Sequence, residues 1–539
     1  MQVTRIVSVL ILGSISVVHG QVTPAPAPAP TPPAVALTNA VPQAAPSTVQ
    51  TNRPAPATVI KTKAVSLQDA IEDALQHNFD VQIQRYLPDL ARFNLQGSYG
   101  AYDPVLSAGG EHSYSLTPGG LNPYGNQVYQ GATTDADSFN AGLSGMLPWG
   151  LTYSLTGTAT DAYGSRPGAL PDSRSPFEDS TANAAISQLR QPLLKNFWID
   201  STRATIQIAK NRLKYSEFTL RLQFMTTVEA VEEAYYNLIF ARENVKVQET
   251  ALQLAERLLW ENQKKVEVGQ LAPLDEKQAE SQAAASRADL IATQQALDTQ
   301  ENILKSLITD NYASLHDVRL IPAENLVAVP AVLNLQESWS KALSLRPDLL
   351  QARLDVQRNE ITVRLDKNQL FPQLDLLGQY GYAGNSKEYS GAFGQIQDRT
   401  NPYWYYGASV TYTLGNRAAY ANFKAAKAQK QQSELVLNQK VQNIEISVDN
   451  AVKAVQTDFA RVEATREARL FAEAALDAEQ KKLENGKSTS FFVLQFQRDL
   501  TAAKFAEIQA LAQYNIALAQ LALQEGTTLE RRHLNVRVK

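Results

Sequence analysis

Residues 224–269 read FMTTVEAVEEAYYNLIFARENVKVQETALQLAERLLWENQKKVEVG, and in them Phe224, Val231, Leu238, Val245, Leu252, Leu259 and Val266 recur at every seventh position. A free α-helix drifts by about 20° over seven residues, so an apolar row held on a strict seven-residue period predicts supercoiled helix-on-helix packing rather than an ordinary surface helix. The row belongs to a longer tract. From Leu193 to Val268 there is neither Gly nor Pro, and Ala, Gln, Glu, Lys and Leu dominate, which predicts one continuous helix. At 1.5 Å per residue, about 65 such residues make a rod of about 100 Å, too long for a globular core. A second tract, Asn416 to Asn485, has the same character, and its register carries Val441, Val448, Val455, Val462, Arg469, Leu476 and Leu483.

The two rods are copies. QKKVEVG at 263–269 aligns with QKKLENG at 480–486, a shift of 217 residues. Upstream, a shift of 268 places Leu67-Gln68-Asp69 on Leu335-Gln336-Glu337, Ala74-Leu75 on Ala342-Leu343, Asp80 on Asp348, Pro104 on Pro372 and Tyr114 on Tyr382. The same unit is therefore written twice, with about 51 additional residues inside the first copy. The boundaries read as a first repeat at 64–310, a connector at 311–334, a second repeat at 335–526 and a tail at 527–539. Each repeat runs helix, strands, very long helix, turn, long helix. Gly269 and Gly486 suit the left-handed residue that ends a helix. Pro273-Leu274-Asp275 and Ser488-Thr489-Ser490 then restart the chain into returning helices at about 275–308 and 491–525.

Between the helices the period falls from seven to two. In the first repeat, strands occupy about 104–191, opening with Leu106, Ala108, Gly110, His112, Tyr114 and Leu116 on one side and Ser107, Gly109, Glu111, Ser113 and Ser115 on the other. The second repeat has a hairpin at about 372–414, with Leu374, Leu376, Gly378, Tyr380 and Tyr382 facing one way and Trp404, Tyr406, Ala408, Val410, Tyr412 and Leu414 on its returning strand. About ten alternating residues suit a tilted crossing of a membrane β-barrel, and the aromatic run Tyr403-Trp404-Tyr405-Tyr406 suits its interfacial belt. The extra residues of the first copy hold two more alternating runs, Phe139 to Leu147 and Leu151 to Thr158, joined by Pro148-Trp149-Gly150. The chain leaves from and returns to helices on one side, so two or four strands in this copy both satisfy parity; the runs read equally as a transmembrane hairpin or an elaborated loop. Either way the four to six strands fall short of the roughly eight of the smallest closed barrel, so several copies must combine.

The start of the chain is consistent with export. Arg5 precedes an apolar stretch from Ile6 to Val18, and residues 1–20 read as a signal peptide. Residues 21–63 form a Pro/Ala-rich linker, as in Pro24-Ala25-Pro26-Ala27-Pro28, with too little apolar content to fold. No stretch reaches the roughly 18 to 20 apolar residues of a membrane-spanning helix, so a membrane would have to be crossed by a closed barrel. With Cys 0 there is no disulfide, no thiolate metal site and no cysteine for a lipid anchor, and a formal net charge of −4 offers no basic surface for nucleic acid. His77, His112, His316 and His533 are scattered, and no metalloprotease, nucleophile-elbow or phosphate-loop pattern occurs. These absences predict no enzyme and no cofactor, and leave any energy for transport to a partner.

The duplicated order of helix, strands and helical hairpin, the run Ala342-Leu343-Ser344-Leu345-Arg346-Pro347-Asp348-Leu349, and Val268-Gly269-Gln270-Leu271 followed by Asp275 together resemble the TolC family of outer-membrane efflux proteins, over about residues 64–526. The resemblance implies an α+β membrane protein: a trimeric transmembrane β-barrel in the outer membrane of a Gram-negative-type bacterium, continued by a long periplasmic α-helical coiled-coil barrel. It implies a homotrimer contacting outer-membrane lipid, docked through its tips to a periplasmic adaptor and an inner-membrane transporter, and conducting substrate passively in efflux or type I secretion. The residues so implicated are Val268, Gly269, Gln270, Leu271, Asn485, Gly486, Lys487 and Ser488; the glycines equally serve the turn alone. Some members close the tunnel with acidic rings where this chain has Phe492 and Gln495. A hydrophobic constriction of Phe492 with Phe491 or Phe496 is one reading of those positions, and packing of the rings between helices is the other. The alternative to a duct is an exported coiled-coil stalk or adhesin with a β-head.

Overall fold

The computed structural model describes residues 61–121, 128–129, 131–167 and 173–534. The signal segment and most of the linker lie outside these residues, as does the end of the tail from 535. In chain order the first copy comprises β1 (Lys61–Val65), α1 (Leu67–His77), α2 (Phe79–Tyr99), β2 (Val105–Thr117), the short pair β3 (Gly120–Leu121) and β4 (Val128–Tyr129), β5 (Ala132–Met146), β6 (Thr152–Pro167), β7 (Arg174–Pro192), α3 (Ser201–Glu267) and α4 (Pro273–Ile308). Then come α5 (Tyr312–Leu315) and β8 (Val318–Pro322). The second copy comprises α6 (Leu335–Leu345), α7 (Pro347–Asn368), β9 (Gln373–Ser386), α8 (Tyr389–Gln397), β10 (Pro402–Thr411), α9 (Arg417–Glu484) and α10 (Ser490–Glu525), followed by α11 (Thr528–Arg531).

Local chemistry fixes the helix ends. Asn78 opens α2 by accepting from the backbone N–H groups of Asp80 and Val81, and Asp200 opens α3 by accepting from that of Arg203. Pro347 occupies the first turn of α7, where its missing N–H costs nothing. Once started, α3 and α9 run for 67 and 68 residues. The seven-residue seam faces inward along both: Phe224, Val231, Leu238 and Val245 are buried in α3, and Val448, Val455, Val462 and Leu476 in α9. Arg469, the polar member of the second seam, is held by Glu473 and Glu507.

The duplication recurs in three dimensions. One core gathers α1, the start of α2, the middle of α3 and the end of α4 around Ala74, Val81, Val231 and Leu304. The other gathers α6, α7, α9 and α10 around the equivalent Ala342, Leu349, Val448 and Leu521. Two features depart from the sequence boundaries. Residues 61–63, read as linker, lie in β1, which pairs in parallel with β8 from Lys61–Val318 to Val65–Pro322. The segment 311–334, read as a connector, supplies that β8 partner, and the tail opens with α11.

Six strands form one antiparallel sheet in the order β10-β9-β7-β6-β5-β2. The open count in the first copy is thereby settled: β2, β5, β6 and β7 all join it, and the two extra runs are full strands of 15 and 16 residues. Below the sheet, α2 packs on α3, α3 on α7 and α7 on α9. These four helices continue β2, β7, β9 and β10 in the same lateral order, so sheet and helices form one curved wall. Among the described residues no helix is long and apolar enough to cross a membrane.

Candidate functional site

Two regions can carry function: the faces of the sheet and the far ends of the helical hairpins. Strand alternation gives the sheet two chemically opposite sides. On one, the paired residues Leu106, Leu143, Leu155, Ile186, Tyr380 and Trp404 form a single ladder across all six strands. The neighbouring ladder, Ala108, Ala141, Gly157, Ala184 and Tyr382, continues the apolar surface. On the opposite side run Gly109, Asn140, Thr158, Asn183 and Ala383, beside Ser107, Thr156 and Tyr403. Apolar outside and polar inside is the arrangement of an outer-membrane barrel. Away from the helices the apolar side turns polar, where His112 meets Asp135 and Asp137 and the Ser180 hydroxyl donates to Asp161. There α8 lies on the sheet, its Ala392 against Gly384, where an added Cβ would sit 2.0 Å from the Ala392 carbonyl.

At the other end, α3 and α9 finish with the same turn. Gly269 and Gly486 have φ of +77° and +70°. The Gln270 N–H donates to the Lys265 carbonyl at 2.8 Å and the Lys487 N–H to the Lys482 carbonyl at 2.9 Å. These bonds cap carbonyls that the helix leaves unsatisfied. Polar supports beneath the turns differ between copies. Asn262 donates to the Asp275 carbonyl in the first, whereas Glu479 accepts from Ser488 and Lys482 in the second. The Ser488 hydroxyl first, and Lys482 after it, hold the Glu479 carboxyl below its ordinary value. The two tips are joined: the Ser490 hydroxyl donates to the Asp275 carboxylate at 3.0 Å, and Leu258, Leu476, Val493, Leu494 and Leu500 pack between the hairpins.

The eight tip residues inferred from sequence therefore occupy two adjacent turns. Val268, Gly269, Gln270, Asn485, Gly486 and Lys487 are exposed, while Leu271 and Ser488 are half-buried. The four further candidates divide. Phe491 and Phe492 are exposed and stack edge to face at 5.6 Å, and Gln495 is exposed on the same helix. Phe496 instead packs against the apolar cluster between the hairpins. A groove of about 160 Å³ beside the tips has charged and polar residues, Arg257, Glu261, Lys265, Gln480 and Glu484, along with apolar Leu254, Leu258, Leu483 and Val493.

Other groups were not assigned a role from the sequence. Asp348 receives both arms of Arg346 at 3.0 and 2.9 Å and the Lys440 ammonium at 2.9 Å, while Arg346 also donates to Gln524. Glu232 is paired with Arg532 of the tail. On α2, Phe79, Ile83, Tyr86, Leu90 and Phe93 recur at alternating spacings of four and three yet are all exposed, an apolar seam that the chain itself leaves uncovered. Spacing could have found this last feature; the Lys440–Asp348 and Arg532–Glu232 pairs join residues too distant in sequence.

A sheet that is apolar on one side, set above a wall of helices and unable to close within one chain, defines a multi-subunit outer-membrane conduit. The family model for "outer membrane efflux protein" matches residues 151–309 and 339–527, and the chain belongs to that family. The outer membrane efflux protein BepC of Brucella suis is 23% identical over 340 residues, covering 63% of this chain and 71% of BepC. The pyoverdine export outer membrane protein OpmQ of Pseudomonas aeruginosa is 23% identical over 350 residues, covering 64% and 71%. Among solved structures, the outer-membrane channel OprN superposes with a TM-score of 0.62 at 17% identity, covering 86% of this chain and 90% of that one. The CmeC channel of Campylobacter jejuni gives 0.63 at 15% identity, covering 88% and 87%. The family consists of trimeric outer-membrane channels with a periplasmic helical extension, serving tripartite efflux and export. The chain is such a channel, a transport protein rather than an enzyme, and the reading of a stalk with a β-head falls away.

Proposed function

We propose that this channel works as a homotrimer whose helical tips dock a periplasmic adaptor, through which an inner-membrane transporter delivers substrate for passive passage outward. The repeats at 64–310 and 335–526 are the two halves of each subunit's contribution. The observation that carries the reading is the pair of matching exposed turns at Gly269 and Gly486, held side by side by Ser490 and Asp275. Two equivalent turns per subunit offer a repeating landing site with the mixed charges of Lys265, Glu261 and Glu484 in the groove behind them. Such a surface offers complementary charges around an apolar floor of Leu254, Leu258, Leu483 and Val493. A photo-crosslinking residue placed at Gln270 or Lys487 should capture one discrete periplasmic protein in cells. Capture of none from either tip, with the trimer intact, overturns the docking.

Exposed Phe491 and Phe492 support a hydrophobic constriction at the tunnel's periplasmic end, where a ring of aromatic side chains blocks hydrated ions by dewetting. Phe492→Ser should then raise single-channel conductance in a planar bilayer; a conductance equal to the parent's removes the gate. Cargo identity is left to the transporter under this reading, since a passive duct need not select.

A further inference from the structure

The additional residues of the first copy, which the function above does not use, build β5 and β6. We propose that this hairpin is a third membrane-crossing hairpin in every subunit, so that the barrel closes at eighteen strands with β2 of one copy paired to β10 of the next. The count rests on the homotrimer: six strands from each of three copies. Had the hairpin been a loop, four strands per copy would have given twelve.

Four observations carry the proposal. The hairpin is bonded into the sheet along its whole length, β5 to β2 from Ala132 to Ser144 and β6 to β7 from Thr152 to Pro167. Its strands of 15 and 16 residues exceed the roughly 9 to 11 needed to cross. It shares the two-sided chemistry of its neighbours: Leu143 and Leu155 extend the apolar ladder, while Asn140 and Thr158 extend the polar one. A flap lying in water on both sides has no need of that division. Finally, its turn is seated at the barrel's periplasmic end. The Gly150 N–H donates to the Leu147 carbonyl at 2.8 Å, and Gly150 lies against Arg203 and Asn196 at the head of α3.

The edges also match. β2 runs away from the helices and β10 returns to them, and each has one side unpaired within the chain, so neighbouring copies can join them antiparallel and remove both edges. Beneath this junction, the uncovered seam on α2 would meet the α9 flank of the next copy, where Leu435 and Val436 are exposed. The four wall helices continue only β2, β7, β9 and β10, so the hairpin widens the barrel without adding to the shaft. Barrel diameter grows about linearly with strand number, and barrels of about 16 to 18 strands leave an aqueous lumen. The membrane section is thus half again as wide as a twelve-strand closure at equal tilt, with an inner wall of Ser, Thr and Asn that also carries Glu111 and the Arg190–Asp375 ion pair. Bulky solutes meet their size limit at the periplasmic tip rather than in the membrane.

The chain contains no native cysteine, which makes a labelling test direct. Single substitutions Leu143→Cys, Leu155→Cys, Asn140→Cys and Thr158→Cys are made in the full-length protein and exposed, in intact outer membranes, to a membrane-impermeant maleimide. The expected result is labelling at least tenfold faster at 140 and 158 than at 143 and 155. Electron cryomicroscopy of the unsubstituted protein, with native mass spectrometry for copy number, should show three copies and eighteen strands. Equal labelling on both faces, or a trimer with twelve strands, overturns the proposal through the hairpin. A copy number other than three overturns it through stoichiometry, and only that result touches the homotrimer reading.

Discussion

Replacing Asp348 by asparagine isolates the charge knot that ties the second copy's short helices to its long ones. The side chain is 14% exposed and receives Arg346 through two bonds and Lys440 through one. Burial alone would raise its pKa, but the hydrogen bonds and charges of Arg346 and Lys440 overcome that and lower it from 3.8 to about 2. A gap of that size between folded and unfolded states corresponds to about 2 kcal/mol of stability. Because the folded pKa is depressed, this stability is fully present above about pH 4 and is lost as pH falls through about 2. Asparagine keeps the shape and can still accept from the Leu349 N–H, so the lost term is chiefly electrostatic.

Purified parent and Asp348→Asn proteins, unfolded with denaturant in the same detergent and followed by helical circular dichroism, should therefore differ by about 2 kcal/mol at pH 7. The difference should shrink below pH 4 and vanish near pH 2. Lys440→Met removes only the more exposed partner and should cost less, at most about 1 kcal/mol. A gap of equal size at pH 7 and pH 2.5 would refute the reasoning, since it would place the loss in packing rather than charge. No gap at pH 7 would refute it as well.

Four further outcomes follow from the geometry. Gly269→Ala and Gly486→Ala meet no atom within 4 Å of the new Cβ, so each should cost only the left-handed backbone penalty of about 1–2 kcal/mol, seen as faster amide exchange confined to the tips. Gly384→Ala, by contrast, should dislodge α8, measured as new protease cleavage between β9 and β10 with the trimer preserved. Leu238→Ala, at a fully buried seam position, should lower unfolding stability by about 2–5 kcal/mol. Removing the chain after residue 526 strips Arg532 from Glu232, whose side chain is 3% exposed; the uncompensated charge should cost about 3–5 kcal/mol, and Glu232→Leu in the truncated chain should recover part of it.

What the sequence made legible was whatever repeats at short range. Seven-residue spacing marked the buried face of α3 and α9, and a single Gly after each rod marked the tip, because helix geometry and left-handed backbone are local constraints. Alternation located the strands but could not count those in the sheet. A loop hairpin and a wall hairpin show the same period, and the distinction lies in whether Leu143 and Leu155 line up with Leu106 and Ile186. That register is a property of pairing between strands. The strand at Lys61–Val65 was missed for a related reason: its partner, Val318–Pro322, lies beyond the entire first helical hairpin. Among the candidate gate residues, period could not say that Phe496 turns inward while Phe491 and Phe492 stay exposed, since the answer depends on where α3 and α9 approach α10.

The duplication did not imply duplicated chemistry. The alignment sets Asp80 on Asp348, and both lie in the first turn of the second short helix of their copy. Asp80 is exposed there, and Asn78 satisfies the opening N–H groups of α2 through its side chain. In the second copy the aligned position is Arg346, which cannot accept a hydrogen bond. Pro347 at the first helical position has no N–H, the Leu349 N–H donates to the Asp348 carboxylate instead of to a cap, and the Arg346 side chain clamps Asp348 and reaches Gln524 on α10. One scaffold thus permits a neutral cap on one side and a three-residue charge knot on the other. The knot ties α7 to α9 and α10 within the second copy, whereas the side chain of Asn78 reaches the Leu307 carbonyl at the end of α4 within the first. Each copy fastens its own long hairpin to its own short helices, and the two hairpins meet through the apolar cluster, the Ser490–Asp275 and Arg498–Gln282 hydrogen bonds, and the edge-to-face rings of Phe240 and Phe505.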